Sequence, residues 1–157
     1  MGENLRNNER YKSGLFGEQL AIEHLQKMGC KLLKQRYRTA TAEIDLIFED
    51  TASKTIIFVE VKRRKECYDY SNVIQQSQWR RIAEASQEFM AEHDEFSDYF
   101  VRYDAFIYFT NSKNFVYIDN AYQMDWWMLR RSRPRPRRLA APRSSSAKRA
   151  PPWRNIN

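Results

Sequence analysis

The sequence predicts an α/β domain, a mixed β-sheet flanked by helices in the order α-β-β-β-α-β-β, followed by a disordered basic C-terminal tail. Three observations carry that expectation. Two stretches, one early and one central, place apolar residues at helical spacing. Around them lie runs rich in Ile, Val, Phe and Tyr, of strand length and bounded by polar turns. From residue 129 onward periodicity stops and Arg, Pro, Ser and Ala take over. With 157 residues, 42% hydrophobic and 14% aromatic, the chain has enough for one domain with a core and too little for two. The expected division is 1–128 for the domain and 129–157 for the tail.

Taken in order, residues 12–29 read as a helix with Ala21, Ile22, Leu25 and Met28 on one stripe, ended by Gly29 and Cys30. Residues 31–38 form a first strand with a basic edge of Lys31, Lys34, Arg36 and Arg38. Strands at 43–48 and 55–62 flank a polar, turn-like segment. Residues 72–92 carry Ile74, Ile82, Ala85 and Phe89 at helical spacing, strands follow at 101–109 and 115–118, and Trp126, Trp127 and Met128 suggest a last helical turn.

Charge needs dissecting. The net value is +7, yet residues 129–157 hold ten Arg and Lys and no acid, so residues 1–128 carry −3. Basic surface on the domain must therefore be local, while the tail suits unordered contact with phosphates. The polar opening lacks a signal-peptide core, and no apolar run approaches the roughly 18 residues that span a bilayer. Two cysteines are too few for a disulfide framework. A cytoplasmic protein without a membrane partner is expected.

The segment that carries chemistry is Glu60-Val-Lys62. Residues two apart on a strand share a face, so Glu60 and Lys62 continue the apolar row of Ile56 and Phe58. Charges in such a row are costly unless paired or bound. Folding the hairpin about its turn pairs residues whose numbers sum to about 105, which sets Asp45 opposite Glu60. Two carboxylates ~5 Å apart repel by about 3 kcal/mol at an effective dielectric of ~20. A divalent cation removes the conflict: Mg²⁺ takes oxygen ligands, here Asp45, Glu60 and the backbone carbonyl of Val61, with Lys62 beside the water or phosphate. Arg63, Arg64 and Lys65 after the strand, with Arg80 and Arg81 on the following helix, are candidate phosphate contacts. Tyr68, Tyr70 and Trp79 suit core packing or base stacking.

The blocks Gly17-Glu-Gln-Leu-Ala21, Glu43-Ile-Asp-Leu-Ile47, Phe58-Val-Glu-Val-Lys-Arg-Arg64, Arg102-Tyr-Asp104 and Asn120-Ala-Tyr122 occur in that order. Together they resemble the YraN-like family of bacterial proteins. That family is similar to the Holliday-junction-resolvase branch of the restriction-endonuclease-like nucleases, whose signature is an Asp followed by (Asp/Glu)-x-Lys. The resemblance implies a restriction-endonuclease-like sheet, Asp45 and Glu60 as metal ligands, Lys62 as the catalytic lysine, and a site role for Glu18, which also shares a helical face with Ala21, Ile22 and Leu25. Two positions depart from the pattern: Ala42 replaces the usual Gly, and Gln78 replaces a lysine of the second helix. Gln78 lies on the stripe of Ile74 and Ile82, where its amide can orient water or phosphate without contributing charge. The expected function is a DNA endonuclease or phosphodiesterase using Mg²⁺ or Mn²⁺, with branched or irregular DNA as one option for its substrate and a second copy of the chain as one option for its partner. The alternatives are a nucleic-acid-binding module of the same fold with weak or no cleavage, and an interaction protein.

Overall fold

A computed structural model describes residues 2–66, 69–70 and 73–123, with side chains from Leu15 onward. The elements are α1 (Gly2–Lys27), β1 (Lys31–Arg38), β2 (Glu43–Asp50), β3 (Thr55–Arg64), α2 (Gln76–Glu92), β4 (Phe100–Phe109) and β5 (Phe115–Tyr122), with a 3-10 turn at Asp94–Phe96. The order is the α-β-β-β-α-β-β expected from the sequence. One sheet runs β1-β2-β3-β4-β5. β3 and β4 are parallel, as a strand pair bridged by the α2 crossover must be, and the other neighbours are antiparallel.

A helix covers each face. Ile56, Phe58 and Ile107 point to the side of α2, packing with Ile82, Ala85 and Phe89. Ile57, Val59 and Phe106 point to α1, packing with Ala21, Ile22 and Leu25. β3 is thus buried on both sides from Thr55 to Glu60, half-buried at Val61 and Lys62, and exposed at Arg63 and Arg64. Its alternation is visible only in which helix each residue meets. These elements belong to one compact unit. The helical turn expected at Trp126, Trp127 and Met128 and the tail expected from 129 lie outside the described residues. Among the described residues no helix is long and apolar enough to cross a membrane.

Several boundaries differ from the sequence reading, each for a physical reason. α1 begins at Gly2, ten residues before the start expected at residue 12, because periodicity reports burial and a polar helical segment leaves no stripe. Its end agrees: Gly29, at φ +88°, donates to the Gln26 carbonyl, and Cys30 donates to that of Leu25. Together these bonds form a Schellman cap. α2 starts at Gln76, so Ile74 is buried just ahead of the helix. β5 continues to Tyr122 across an irregularity at Asn120, whose φ of +49° breaks the alternation that marks a strand. His24 and His93 are half-buried. His24 packs on Phe115 and Tyr117, and His93 stacks on Phe89 with 4.1 Å between ring centroids.

Gly17 sets how close α1 comes to β3. A Cβ built there would meet Val61 Cγ1 at 3.4 Å and Tyr108 Cβ at 3.8 Å, which is ordinary contact with no room beyond it. Gly17→Ala should therefore be neutral or stabilising by up to ~1 kcal/mol, the helix-propensity gain. Gly17→Leu should lift α1 off the sheet and destabilise. Thermal melts of the two variants check this, and a destabilised Gly17→Ala would show that the approach is tighter than its contacts indicate.

Candidate functional site

The β2–β3 ladder runs from Asp50↔Thr55 to Leu46↔Val59, and each of its pairs sums to 105. Asp45 and Glu60 stand one step past its last pair, where β3 emerges from between the helices. Here the ladder is replaced by a side-chain bond: the Val61 N–H donates to Asp45 Oδ2 at 2.8 Å. The N–H and C=O of one strand residue point to the same side. The Val61 carbonyl is therefore aimed at the same gap as its N–H.

Glu60 is 4% exposed. Its Oε1 accepts from Lys62 Nζ at 2.5 Å and also from the Gln78 amide of α2. Among the described residues, no hydrogen bond reaches Glu60 Oε2 or Asp45 Oδ1. Each carboxyl therefore has one oxygen held by the fold and a second one uncommitted. Both line a cleft of about 270 Å³ with Ala42, Glu43, Gln78, Arg81 and Ile82.

The electrostatics follow from burial. Asp45 is pushed up to about 7, first by desolvation, then by the charge of Glu60 and less by that of Glu18. The Val61 N–H and Lys62 oppose the rise. Glu60 is also raised by burial, against the pull of Lys62 and Gln78, and Glu43 adds to the rise. A buried carboxyl with a like-charged neighbour holds its proton, and a cation would displace it.

Glu18 comes from α1, on the other side of the sheet. Both of its oxygens are taken by Arg36: Nη2 donates to Oε1 at 2.8 Å and Nε to Oε2 at 3.2 Å. Arg36 was legible only as part of a basic edge. It stands opposite Asp45 in the β1–β2 register, between Gln35↔Leu46 and Tyr37↔Ile44, and its φ is +49°. A non-glycine residue held there costs about 1–3 kcal/mol, and such strain concentrates at functional sites. The opposition to Asp45 could have been counted from the second hairpin, but the left-handed backbone could not. Glu43, also missed, is bonded at 2.6 Å by Arg38.

The sequence-predicted residues divide clearly. Asp45, Glu60, Val61, Lys62 and Gln78 are brought together and Arg81 lines the cleft beside them, whereas Glu18 does not line it and is held by Arg36, its charge felt at Asp45. Arg63 is exposed beyond the strand's buried part. Arg64 is also exposed, but its Nη2 donates to the Val73 carbonyl at 2.9 Å and so holds the segment ahead of α2. Arg80 is exposed and does not line the cleft. Trp79 is core, stacked on Tyr122 with 5.6 Å between centroids. Tyr70 is 38% exposed, and Tyr68 lies outside the described residues. Ala42 fits without strain, because it is not among the described residues with positive φ and so needs no glycine. No three His, Cys, Asp or Glu side chains among the described residues gather as a metal cluster. Any cation would rest on the two carboxylates, backbone and solvent.

The model of the uncharacterised protein family UPF0102 matches residues 17–107, from Gly17 beside β3 to the middle of β4. The chain belongs to UPF0102. This is the YraN-like family that the five sequence blocks resemble. A UPF0102 protein of Bradyrhizobium diazoefficiens is 33% identical over 97 residues, covering 62% of this chain and 71% of that one. One of Rhodopseudomonas palustris is 30% identical over 102 residues, covering 65% and 77%. One of Mycolicibacterium smegmatis is 46% identical over 55 residues, covering 35% of this chain and 44% of its own. The UPF0102 match begins at the glycine that admits α1 to the sheet and contains Glu18, Asp45, Glu60, Lys62 and position 78.

Proposed function

We propose that this UPF0102 chain is a divalent-metal-dependent phosphodiesterase acting on DNA. The observation that carries this reading is the pair Asp45 and Glu60, two largely buried carboxyls with raised pKa that line one cleft and each keep one oxygen without a hydrogen bond among the described residues. The donor set suits Mg²⁺ or Mn²⁺. It is all oxygen, with two carboxylates and the Val61 carbonyl, leaving water and a substrate phosphate to complete the shell. It offers none of the His and Cys ligands typical of zinc. A bound cation would supply Lewis acidity and a more acidic water at neutral pH.

The chain's own residues do the rest. Lys62 and Gln78 converge on one oxygen of Glu60 and fix its orientation, so the Gln78 amide, expected to orient water or phosphate, is engaged by the carboxylate instead. Lys62, ion-paired to Glu60, brings positive charge to oxygens of a reacting phosphate. Arg81 at the cleft and Arg63 beyond it would meet the flanking backbone, where contacts position the nucleic acid without reading sequence.

A second reading, a binding module that cleaves weakly or not at all, is favoured by Gln78 in place of a lysine. Linear, single-stranded and branched DNAs incubated with Mg²⁺ or Mn²⁺, and again with chelator, separate the two. Metal-dependent cutting supports the enzyme, and binding without cutting supports the module. Lys62→Ala should lower the rate by roughly 10²–10³ while the fold persists. Equal cutting by Lys62→Ala and parent would remove the proposed centre.

A further inference from the structure

The α2 face of the sheet carries a second hollow beside the carboxylate cleft, on the β4 and β5 side of Glu60. Counting across the strands, Glu60 is in register with Ala105 of β4 and Ala105 with Ile118 of β5, while Lys62 is in register with Ile107. Neighbouring strands lie about 4.8 Å apart, so this row passes from charge to hydrocarbon within one strand spacing. Ala105, Ile107 and Ile118 line a pocket of about 170 Å³ together with Val73, Trp79 and Tyr70, and among the described residues no charged side chain lines it. Tyr70 is its one exposed member. Consecutive residues of α2 serve the two hollows: Gln78 bonds Glu60 at the cleft, and Trp79 lines the pocket. The segment ahead of α2 is tied in place. The Val73 N–H donates to the Tyr70 carbonyl at 3.3 Å, and the Val73 carbonyl accepts from Arg64 Nη2 at 2.9 Å.

We propose that this pocket receives one unpaired base of the strand whose phosphate lies at Asp45, Glu60 and Lys62, so that the substrate is single-stranded or locally unpaired DNA. The inference rests on the phosphodiesterase reading above. A nucleotide joins a charged phosphate to a flat, largely apolar ring, and here a charged cleft adjoins an uncharged hollow on one face. The size fits a single ring system, since an apolar cavity of about 150 Å³ takes up benzene. A base in a duplex must first leave its stack and its partner, a cost that an unpaired base escapes. With hydrocarbon walls and the aromatic rings of Tyr70 and Trp79, the pocket would hold bases by contact and stacking, with little preference among sequences. A mere packing gap beside the centre would leave DNA binding indifferent to bases.

Fluorescence anisotropy of the full chain in chelator, with a short oligothymidylate and an abasic oligomer of the same length, tests this without any cutting. The two probes carry the same phosphates, so contacts from Arg and Lys side chains cancel in their ratio. The parent should bind the oligothymidylate about tenfold tighter than the abasic oligomer. Tyr70→Ala, which removes an exposed ring, and Ile118→Trp, which fills the pocket from β5, should each shrink that ratio to about threefold or less, the loss falling on the probe with bases. If Ile118→Trp fails to fold in a thermal melt, Tyr70→Ala decides. A ratio that both variants leave at the parent's value would overturn the subsite, because the bases would then be held elsewhere. A parent ratio near one would overturn it too. Should a ratio near one rise to tenfold when Trp126 and Trp127 are both changed to Ala, the pocket belongs to the chain's own tryptophans. A parent that binds neither probe ends the DNA reading itself, whereas equal binding of both ends only the base subsite.

Discussion

Asp45→Asn is expected to make the metal-free protein more stable at pH 8, by about 4 kcal/mol, and to leave it nearly unchanged below about pH 4. The folded Asp45 carboxyl is pushed up to about 7 from an ordinary 3.8. Over that interval the folded state holds a proton that the unfolded chain has lost. Stability therefore falls as pH rises from about 4 to about 7, at ~1.4 kcal/mol per unit of pKa difference, and is level on either side. Glu60 is raised as well, so the slope belongs to the pair. Asparagine keeps an oxygen for the Val61 N–H while removing the repelling charge. The checking measurement is a series of thermal melts in chelator from pH 4 to 8. Added Mn²⁺ should raise the parent's melting temperature by mass action and do little for the variant. A parent profile that is flat across this range, or an Asn variant weaker at pH 8, would refute the account.

Asp104→Ala should be the most damaging single change away from the site, costing about 3–5 kcal/mol. Asp104 is fully buried on β4. It accepts from Arg102 Nη2 at 2.8 Å and Nε at 3.0 Å, from the Tyr117 hydroxyl, and from the Asn120 N–H at 2.8 Å. Truncation leaves a half-buried guanidinium without its anion and an N–H stranded where Asn120 bends β5. Breaking one side of such a network costs far more than replacing the whole, so Arg102→Met with Asp104→Leu should recover much of the loss. Denaturant melts of the single and double variants read this directly. A loss under ~1 kcal/mol for Asp104→Ala would mean that β5 is not held through this carboxylate.

That network gives a physical reason for two of the five sequence blocks. Arg102-Tyr-Asp104 and Asn120-Ala-Tyr122 sit away from the cleft. Asp104 ties β4 to the irregularity in β5, and Tyr103 reaches the Ser86 hydroxyl on α2 at 2.7 Å. As letters in a chain they look no different from site motifs. Only their bonds, which join β4 to β5 and to α2 while none of these residues lines the cleft, show that they serve the scaffold.

Local periods and turn chemistry were enough to determine the element order and the register that sets Asp45 beside Glu60, while the family came from the resemblance carried by the five sequence blocks. Alternation on a strand has period two, and a hairpin's turn fixes which residues meet, so both can be counted along the chain. What belongs to no local period was decided only by the tertiary structure. The left-handed backbone of Arg36, the fork it closes on Glu18, the engagement of Arg64 by the Val73 carbonyl, and the core placement of Trp79 join residues from different elements. Each is fixed by where the packed layers bring side chains together, and neighbours in space leave no periodic mark in the sequence.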